Sequence, residues 1–505
     1  MPTSAHEKKG KVPGFSSGDY ADATDRLPDY VIVELKFQSR VAFAPGAAAF
    51  GGPADVEGDV SSINSVLEKF DVKDVRPHFP QLKKKDFDMR VAAAPARGAG
   101  PVDSMFALAG FVEVVPKRDQ DCPKIVDQLN RHPAVWKAVI APRPEPAAKV
   151  KTKPKPKPPA VAVKTPNFEP AQGYLHDPPD GIGAIAVWPL KAAGAGITVC
   201  DIEGNWNLTH EDLPVGIKLI GGEPIPDVGW TNHGTAVLGE MVSVPKSVGT
   251  VGICHKAKAV VQSAVINGVF NAAGAITNAA SKLGPGDVIL IELHAKGGPD
   301  NKYLAMQYWD AVFAAIKTAV GMGIVVVEAG GNGDEDFDRP EYAGTGLQKD
   351  AGAVVVGAGV PPSNYFAAFD GPMYGFPEHD RLGKPRSRIW FSNHGAIVNV
   401  QGWGWHVMTL GYGDAQNLSD PNRWYTLRFS GTSSASPIVT GAVACIQSYA
   451  RAKTGSPLTP TQVRDILVKT GTPQEDDAPR APIGQHIGPL PNLPKALEEV
   501  DRIIA

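Results

Sequence analysis

The sequence predicts an α/β fold in which a large unit, built on a parallel sheet with helices on both faces, is preceded by a small α+β unit of ferredoxin-like order. Three observations predict it. In residues 167–505 short apolar runs alternate with helical segments, the pattern of strands buried between two helical layers. In residues 29–142 a strand and a helix are followed by a second round of strand, helix and strand, which suggests a ferredoxin-like β-α-β, β-α-β sandwich. Between the two, residues 143–166 interleave Pro144, Pro146, Pro154, Pro156, Pro158 and Pro159 with Lys149, Lys151, Lys153, Lys155 and Lys157. Such a stretch cannot build a core; proline stiffness and lysine repulsion make it a semi-stiff linker, easily cut by proteases. Residues 1–28, rich in Lys, Ser, Gly and Asp, read as a flexible tail.

In the small unit, Tyr30-Val31-Ile32-Val33-Glu34-Leu35 reads as a strand, and Ile63, Val66, Leu67 and Phe70 form an i, i+3, i+4, i+7 helix face. Gly110-Phe111-Val112-Glu113-Val114-Val115 opens the second round as a strand. Ile125, Val126 and Leu129 mark a helix after Pro123, and Val135-Trp136-Lys137-Ala138-Val139-Ile140 closes the unit. In the large unit, residues 196–201 read as a buried strand ending in the carboxylate of Asp201, and residues 231–239 as a turn opening a small-residue helix around His233. Residues 287–291 and 324–327 are further strands. Phe429-Ser430-Gly431 forms a tight turn that sets Ser433 at the start of a helix, whose Ile438, Val439, Ala442, Val443 and Ile446 make a broad buried face. Thr459-Pro460-Thr461-Gln462 supplies a cap, an N1 proline and an N3 glutamine for another helix, buried through Val463, Ile466 and Leu467.

Composition excludes several classes. At 505 residues the chain exceeds one small core, and 43% hydrophobic with 20% charged residues is ordinary globular composition. A net charge of −3 gives no steer toward nucleic acid. No apolar run approaches the roughly 18 residues of a membrane span. The first thirty residues lack the apolar core of a secretory signal, so the expectation is a chain that is cytoplasmic as synthesised, with release open only to a non-classical route. Cys122, Cys200, Cys254 and Cys445 show neither pairing nor metal-ligand spacing and read as buried thiols.

The chemistry starts at Ser433. Free N–H groups and partial positive charge in the first turn of its helix favour an anion beside it. Serine alone is a poor nucleophile, so it needs a base and a group that orients the base. His233 and Asp201 are the candidates, in the chain order Asp, His, Ser. Ala329-Gly330-Gly331-Asn332-Gly333 follows a strand and brings Asn332 as a side-chain donor for a developing oxyanion, with the Ser433 N–H as the second. Taken singly, each motif also has a plain structural role as a turn, a cap or an αL residue.

Taken jointly and in order, Asp201 with the following Glu211-Asp212-Leu213, Asn232-His233-Gly234-Thr235, the Asn332 turn, and Gly431-Thr432-Ser433-Ser434-Ala435-Ser436-Pro437 resemble the subtilases, the subtilisin-like serine peptidases. Gly249-Thr250-Val251-Gly252-Ile253-Cys254 and Phe391-Ser392-Asn393-His394-Gly395 are similar to strands and turns of the same family. The resemblance covers about residues 167 to 505. It implies a serine endopeptidase that works on protein or peptide substrates through an acyl-enzyme, with Asp201 holding His233 and His233 activating Ser433. It implies no redox or nucleotide cofactor and leaves a structural calcium ion unassigned. His132-Pro133-Ala134-Val135, before the last strand of the small unit, is similar to the inhibitory propeptides of subtilases. The implication is a unit that packs on the catalytic domain and threads its C-terminal tail through the active site; a separate protein inhibitor is the competing expectation.

Where subtilases line the cleft with Ser-Leu-Gly, this chain has Glu292-Leu293-His294. Leu293, His294 and Gly330 are the substrate-binding candidates, and the bulk of Glu292 and His294 is expected to alter the first specificity pocket. Asp334, Glu335, Asp336 and Asp338 read as a solvated acidic loop, a preference for basic residues, or a calcium site. Trp403, Trp405, Tyr412, Trp424 and Tyr425 form an aromatic stretch that overhangs the cleft or packs as a flap. Two alternatives to hydrolysis stay open: a transpeptidase or macrocyclase, in which an amine outcompetes water at the acyl-enzyme, and a catalytically silent binding protein.

Overall fold

The computed structural model describes residues 27–35, 57–79, 108, 110–146, 164–362 and 382–505. Residues 1–26 of the expected tail at 1–28, and residues 147–163 of the Lys/Pro stretch, lie outside the described residues.

The small unit is an antiparallel sheet of β1 (Val31–Leu35), β2 (Val72–Pro77), β3 (Phe111–Pro116) and β4 (Val135–Ile140) in the order β2-β3-β1-β4. With α1 (Glu57–Leu67) between the first two strands and α2 (Cys122–Asn130) between the last two, this is the expected ferredoxin-like order. Alternation along each strand divides the side chains between two cores. Val31, Val33, Val112 and Val114 meet Ile63, Leu67, Ile125 and Leu129 of the helices. Ile32, Phe111 and Val115 face the other way, into a core shared with the large unit.

That second core joins the small unit to two helices of the large one. Tyr30 donates its hydroxyl proton to the Phe270 carbonyl at 2.5 Å. Asn271 Nδ2 donates to the His78 carbonyl at 2.7 Å and to Glu113 Oε1 at 2.8 Å, while its Oδ1 caps the helix that follows by accepting from Gly274 N at 2.6 Å. Lys137 pairs with Asp310. The chain then continues into β5 (Pro144–Pro146), so the first residues of the expected linker are an ordered strand instead. Two prolines are tolerated there because β5 lies at the edge of its sheet.

The large unit is built on seven parallel strands: β6 (Thr198–Glu203), β7 (Lys218–Gly221), β8 (Lys258–Ser263), β9 (Val288–Ile291), β12 (Val325–Ala329), β13 (Val354–Gly359) and β14 (Val400–Trp403). Their order is β14-β13-β12-β9-β6-β8-β7. The helices α3 (Val228–Val242), α4 (Ala272–Ala280), α5 (Asp310–Gly321) and α6 (Thr432–Thr454) pack on it, giving the parallel sheet with helical layers that the apolar runs predict. A separate three-stranded antiparallel sheet has β10 (Leu293–Gly297) at its centre, between β11 (Lys302–Ala305) and β5. In open parallel sheets sites form beyond the carboxyl ends of strands, and the ends of β6, β9 and β12 carry the groups described next. Among the described residues no helix is long and apolar enough to cross a membrane.

Candidate active site

Ser433 is fully buried at the second position of α6. Gly431 precedes the helix at φ 115°, a conformation costly for any other residue. Pro437 lacks the N–H that would bond the Ser433 carbonyl four residues back, so this turn is held by side chains instead. Thr432 N donates to Asn332 Oδ1 at 2.9 Å, and Ser436 Oγ donates to the Thr432 carbonyl at 2.7 Å.

His233 lies in the second turn of α3, a helix that begins earlier than the sequence pattern suggests because Asp227 caps it at Trp230 N, 3.0 Å away. The next residue must be glycine: a Cβ at Gly234 would meet Trp206 Cδ1 at 2.5 Å and the Asn205 carbonyl at 2.4 Å. The carboxylate set against His233 Nδ1 is Glu203, and both side chains are fully buried. This corrects the expectation for Asp201. Asp201 instead accepts from Trp206 Nε1 at 2.7 Å, anchoring the loop after β6. The two acids lie two residues apart on β6 and so share a face, and Glu203, at the strand end, reaches the helix. The sequence pattern ends the strand at Asp201, whereas β6 runs two residues further, to Glu203.

Asn332 is buried beyond β12 with its oxygen committed to Thr432 N and Thr432 Oγ1, at 2.9 and 3.0 Å. That pattern identifies the oxygen end of the amide and leaves Nδ2 as its donor end. His294 does not open a pocket: it is buried, stacked on Tyr303 at 4.1 Å, with Nδ1 accepting from Asn332 N at 3.3 Å. Leu293 points into the core, although its backbone stands opposite Pro146 of β5. Gly330 N donates to the Val356 carbonyl at 2.8 Å, and a Cβ there would meet that oxygen at 2.7 Å. All three candidates are thus engaged in packing or hydrogen bonds within the protein. The strand that carries two of them, β10, bears the tail of the small unit as an antiparallel neighbour, with Glu145 opposite His294 and Tyr303 Oη donating to Glu145 Oε2 at 2.8 Å.

The site is rich in buried carboxyls. Besides Asp201 and Glu203 it holds Glu292 after β9 and Glu240 on α3, all fully buried. Glu203, His233 and Glu292 bring carboxyl oxygens and an imidazole nitrogen within 4.8 Å of one another, with Glu203 and His233 facing each other directly. Burial raises the Glu203 carboxyl well above its usual range, and burial with the nearby Glu203 charge does the same to Asp201, against the opposing Trp206 bond. Burial lowers His233 to about 3, which keeps the imidazole neutral.

The acidic loop is paired within the protein. Asp334 takes Arg388 Nη1 at 2.8 Å, Glu335 pairs with Arg339, and Asp338 accepts from Ala396 N at 3.0 Å. Trp403, Trp405, Tyr412 and Tyr425 are buried, so most of the aromatic stretch packs, and Phe429 sets its ring edge to face against His233 at 5.4 Å. Trp424 alone of the five lines a cleft of about 540 Å³ with Trp206, Thr231 and Asn232, beside the His233 helix.

A protein-family model of the peptidase S8 subtilase family matches residues 194–485. The chain belongs to the subtilase family. It is 27% identical over 253 residues to an extracellular basic protease of Dichelobacter nodosus, an alignment that covers 48% of this chain and 35% of that protein. The chain thus spans about a third of that relative's length.

Proposed function

We propose that this chain is a serine endopeptidase that hydrolyses peptide bonds in proteins through an acyl-enzyme on Ser433. The observation that carries the reading is the Glu203 carboxyl against His233 Nδ1, at a strand end facing the helix start that holds Ser433, in a subtilase chain. His233 takes the Ser433 proton as the hydroxyl attacks the substrate carbonyl, and Glu203 fixes the tautomer and stabilises the imidazolium. Asn332 Nδ2 and the Ser433 N–H donate to the oxyanion. The proton passes from His233 to the leaving amine, and water repeats the sequence on the ester. The test is labelling by a fluorophosphonate probe: modification of Ser433 in the parent and none in Ser433→Ala supports the reading, while an unlabelled parent removes it. Mass analysis of products then separates free carboxyl ends from newly joined amides, which would mark a transpeptidase.

The small unit acts as a restraint. Its tail lies along β10 as an extended substrate would, which is β-strand addition to a cleft edge. Cutting the chain within residues 147–163 by an inserted, specific cleavage site should raise turnover as the small unit dissociates; a long tether keeps its effective concentration high until then. Equal activity of the cut and uncut chains would remove the restraint from the reading.

A further inference from the structure

Glu292 stands where the family motif has serine, and no step above uses it. It follows β9 and is fully buried. Its Oε1 contacts Ser436 Oγ, three residues along α6 from Ser433. The same hydroxyl lies 2.7 Å from the Thr432 carbonyl, which can only accept. A serine hydroxyl carries one proton. If that proton goes to Thr432, the proton between Ser436 and Glu292 comes from the carboxyl.

The surroundings favour the same state. Glu292 Oε2 is buried without a hydrogen-bond partner. Facing Glu292 are Asp201 and Glu203 from β6, His233 and Glu240 from α3, and Ser433 and Ser436 from α6. Glu328, on the neighbouring strand β12, accepts from Gln307 N at 2.7 Å. An ionised Glu292 would therefore sit desolvated among carboxyls with two hydroxyls for company, an unfavourable state for a buried charge without a cationic partner. Burial, the largest effect, pushes its carboxyl well above the usual range; the Ser436 contact opposes it, the Glu203 and Asp201 charges add to it, and Ser433 opposes it least.

We propose that Glu292 is a positioning residue of this site, a carboxylic acid that keeps its proton, ties the first turn of α6 to the end of β9 through Ser436, and keeps a second negative charge away from Ser433. This rests on Ser433 being the nucleophile. Attack builds negative charge on the substrate oxygen beside Ser433, and a carboxylate at Glu292 would oppose it. Raising the pH until Glu292 ionises then slows the reaction, giving an alkaline limb that belongs to this residue.

Two measurements test it. On the intact full chain, infrared difference spectra between the parent and Glu292→Gln should show, at neutral pH, the carbonyl stretch of one protonated carboxylic acid lost in the variant. A carboxylate band lost in its place would overturn the proposal. On the full chain cut within residues 147–163, Glu292→Ala should lower kcat by about tenfold or more with KM little changed, and Glu292→Gln should restore most of that loss while removing the alkaline limb. Glutamine as damaging as alanine in a folded protein, or an alkaline limb that survives in Glu292→Gln, would also overturn it. If alanine fails to fold, the glutamine profile and the infrared band still decide. The two readings fail separately: a parent that neither labels nor hydrolyses refutes Ser433 as nucleophile, whereas the infrared band reports the Glu292 proton with no turnover at all.

Discussion

On the Ser433 side of the site the working groups are a helix start, an amide and several hydroxyls; on the His233 side they are buried carboxyls. Around Ser433, the residues Thr432, Ser436 and Asn332 are fixed by short hydrogen bonds between neutral groups, which lose little on burial once each is paired. Asp201, Glu203, Glu240 and Glu292 are ionisable and crowded, so each controls the charge its neighbours can hold. The first side is set by local geometry. The second is set by which carboxyl faces which partner, and conservative substitutions there should have sharply unequal effects.

The largest effects should fall on the reacting unit. Ser433→Ala and His233→Ala should each remove nearly all turnover, on the order of 10⁶ as known for the relative subtilisin, and combining them should add little because they act together. Between the two acids of β6 the contrast is sharper: Glu203→Gln should cost about 10⁴ in kcat by upsetting the His233 tautomer. Asp201→Asn, which keeps an acceptor for Trp206, should stay within about tenfold. Steady-state kinetics on the linker-cut chain decide. The reverse ranking would return the orienting role to Asp201.

That contrast also marks how far the sequence was legible. The parallel sheet, the Ser433 turn and the Asn332 turn announce themselves locally, through apolar runs, glycines and a helix start. Asp201 against Glu203 does not, because both lie on the same face of one strand and only the position of α3 decides which reaches His233. Val72–Pro77 escaped a periodicity reading because its only buried residues, Val72 and Val75, do not alternate: a register shift between Val72 and Asp74 breaks the period of two. Pro144–Pro146 was hidden in a linker composition, since its strand character comes from β10 and not from its own residues.

Asn332→Ala comes next, with kcat down about 10²–10³, the size known for the corresponding donor in subtilisin, and KM little changed. The loss belongs to the transition state. A kcat within about twofold of the parent would leave Asn332 as a turn residue that only anchors Thr432. The acid side predicts a pH effect instead. Burial lowers His233, so the neutral base persists to lower pH, and the acid limb of kcat/KM should fall below 6.5, the ordinary imidazole value. An acid limb above 6.5 would mean that an ionised Glu203 outweighs burial at the imidazole.

The smallest expected effect lies outside the chemistry, at the contact between the two units. Asn271 does two jobs with one amide: Oδ1 caps α4 at Gly274 N, and Nδ2 crosses to the His78 carbonyl and Glu113 Oε1. Asn271→Asp separates them. The aspartate still caps the helix, where a negative charge at the N-terminus is favourable. Across the interface it replaces a donor with an oxygen facing two acceptors, one a buried carboxyl that already holds Arg76 Nε at 2.5 Å and His78 Nδ1 at 3.0 Å. Losing those two bonds and adding repulsion should loosen the small unit by at least 1.4 kcal/mol, about tenfold. In the linker-cut chain the substitution should therefore weaken inhibition by the retained small unit about tenfold or more. Hydrolysis of a small peptide by the fully dissociated enzyme should be unchanged, because Asn271 lies on the α4 side and touches none of the reacting groups. Unaltered inhibition, with α4 intact by hydrogen exchange, would show that the apolar contacts of Ile32, Phe111 and Val115 hold the two units together without this polar bridge.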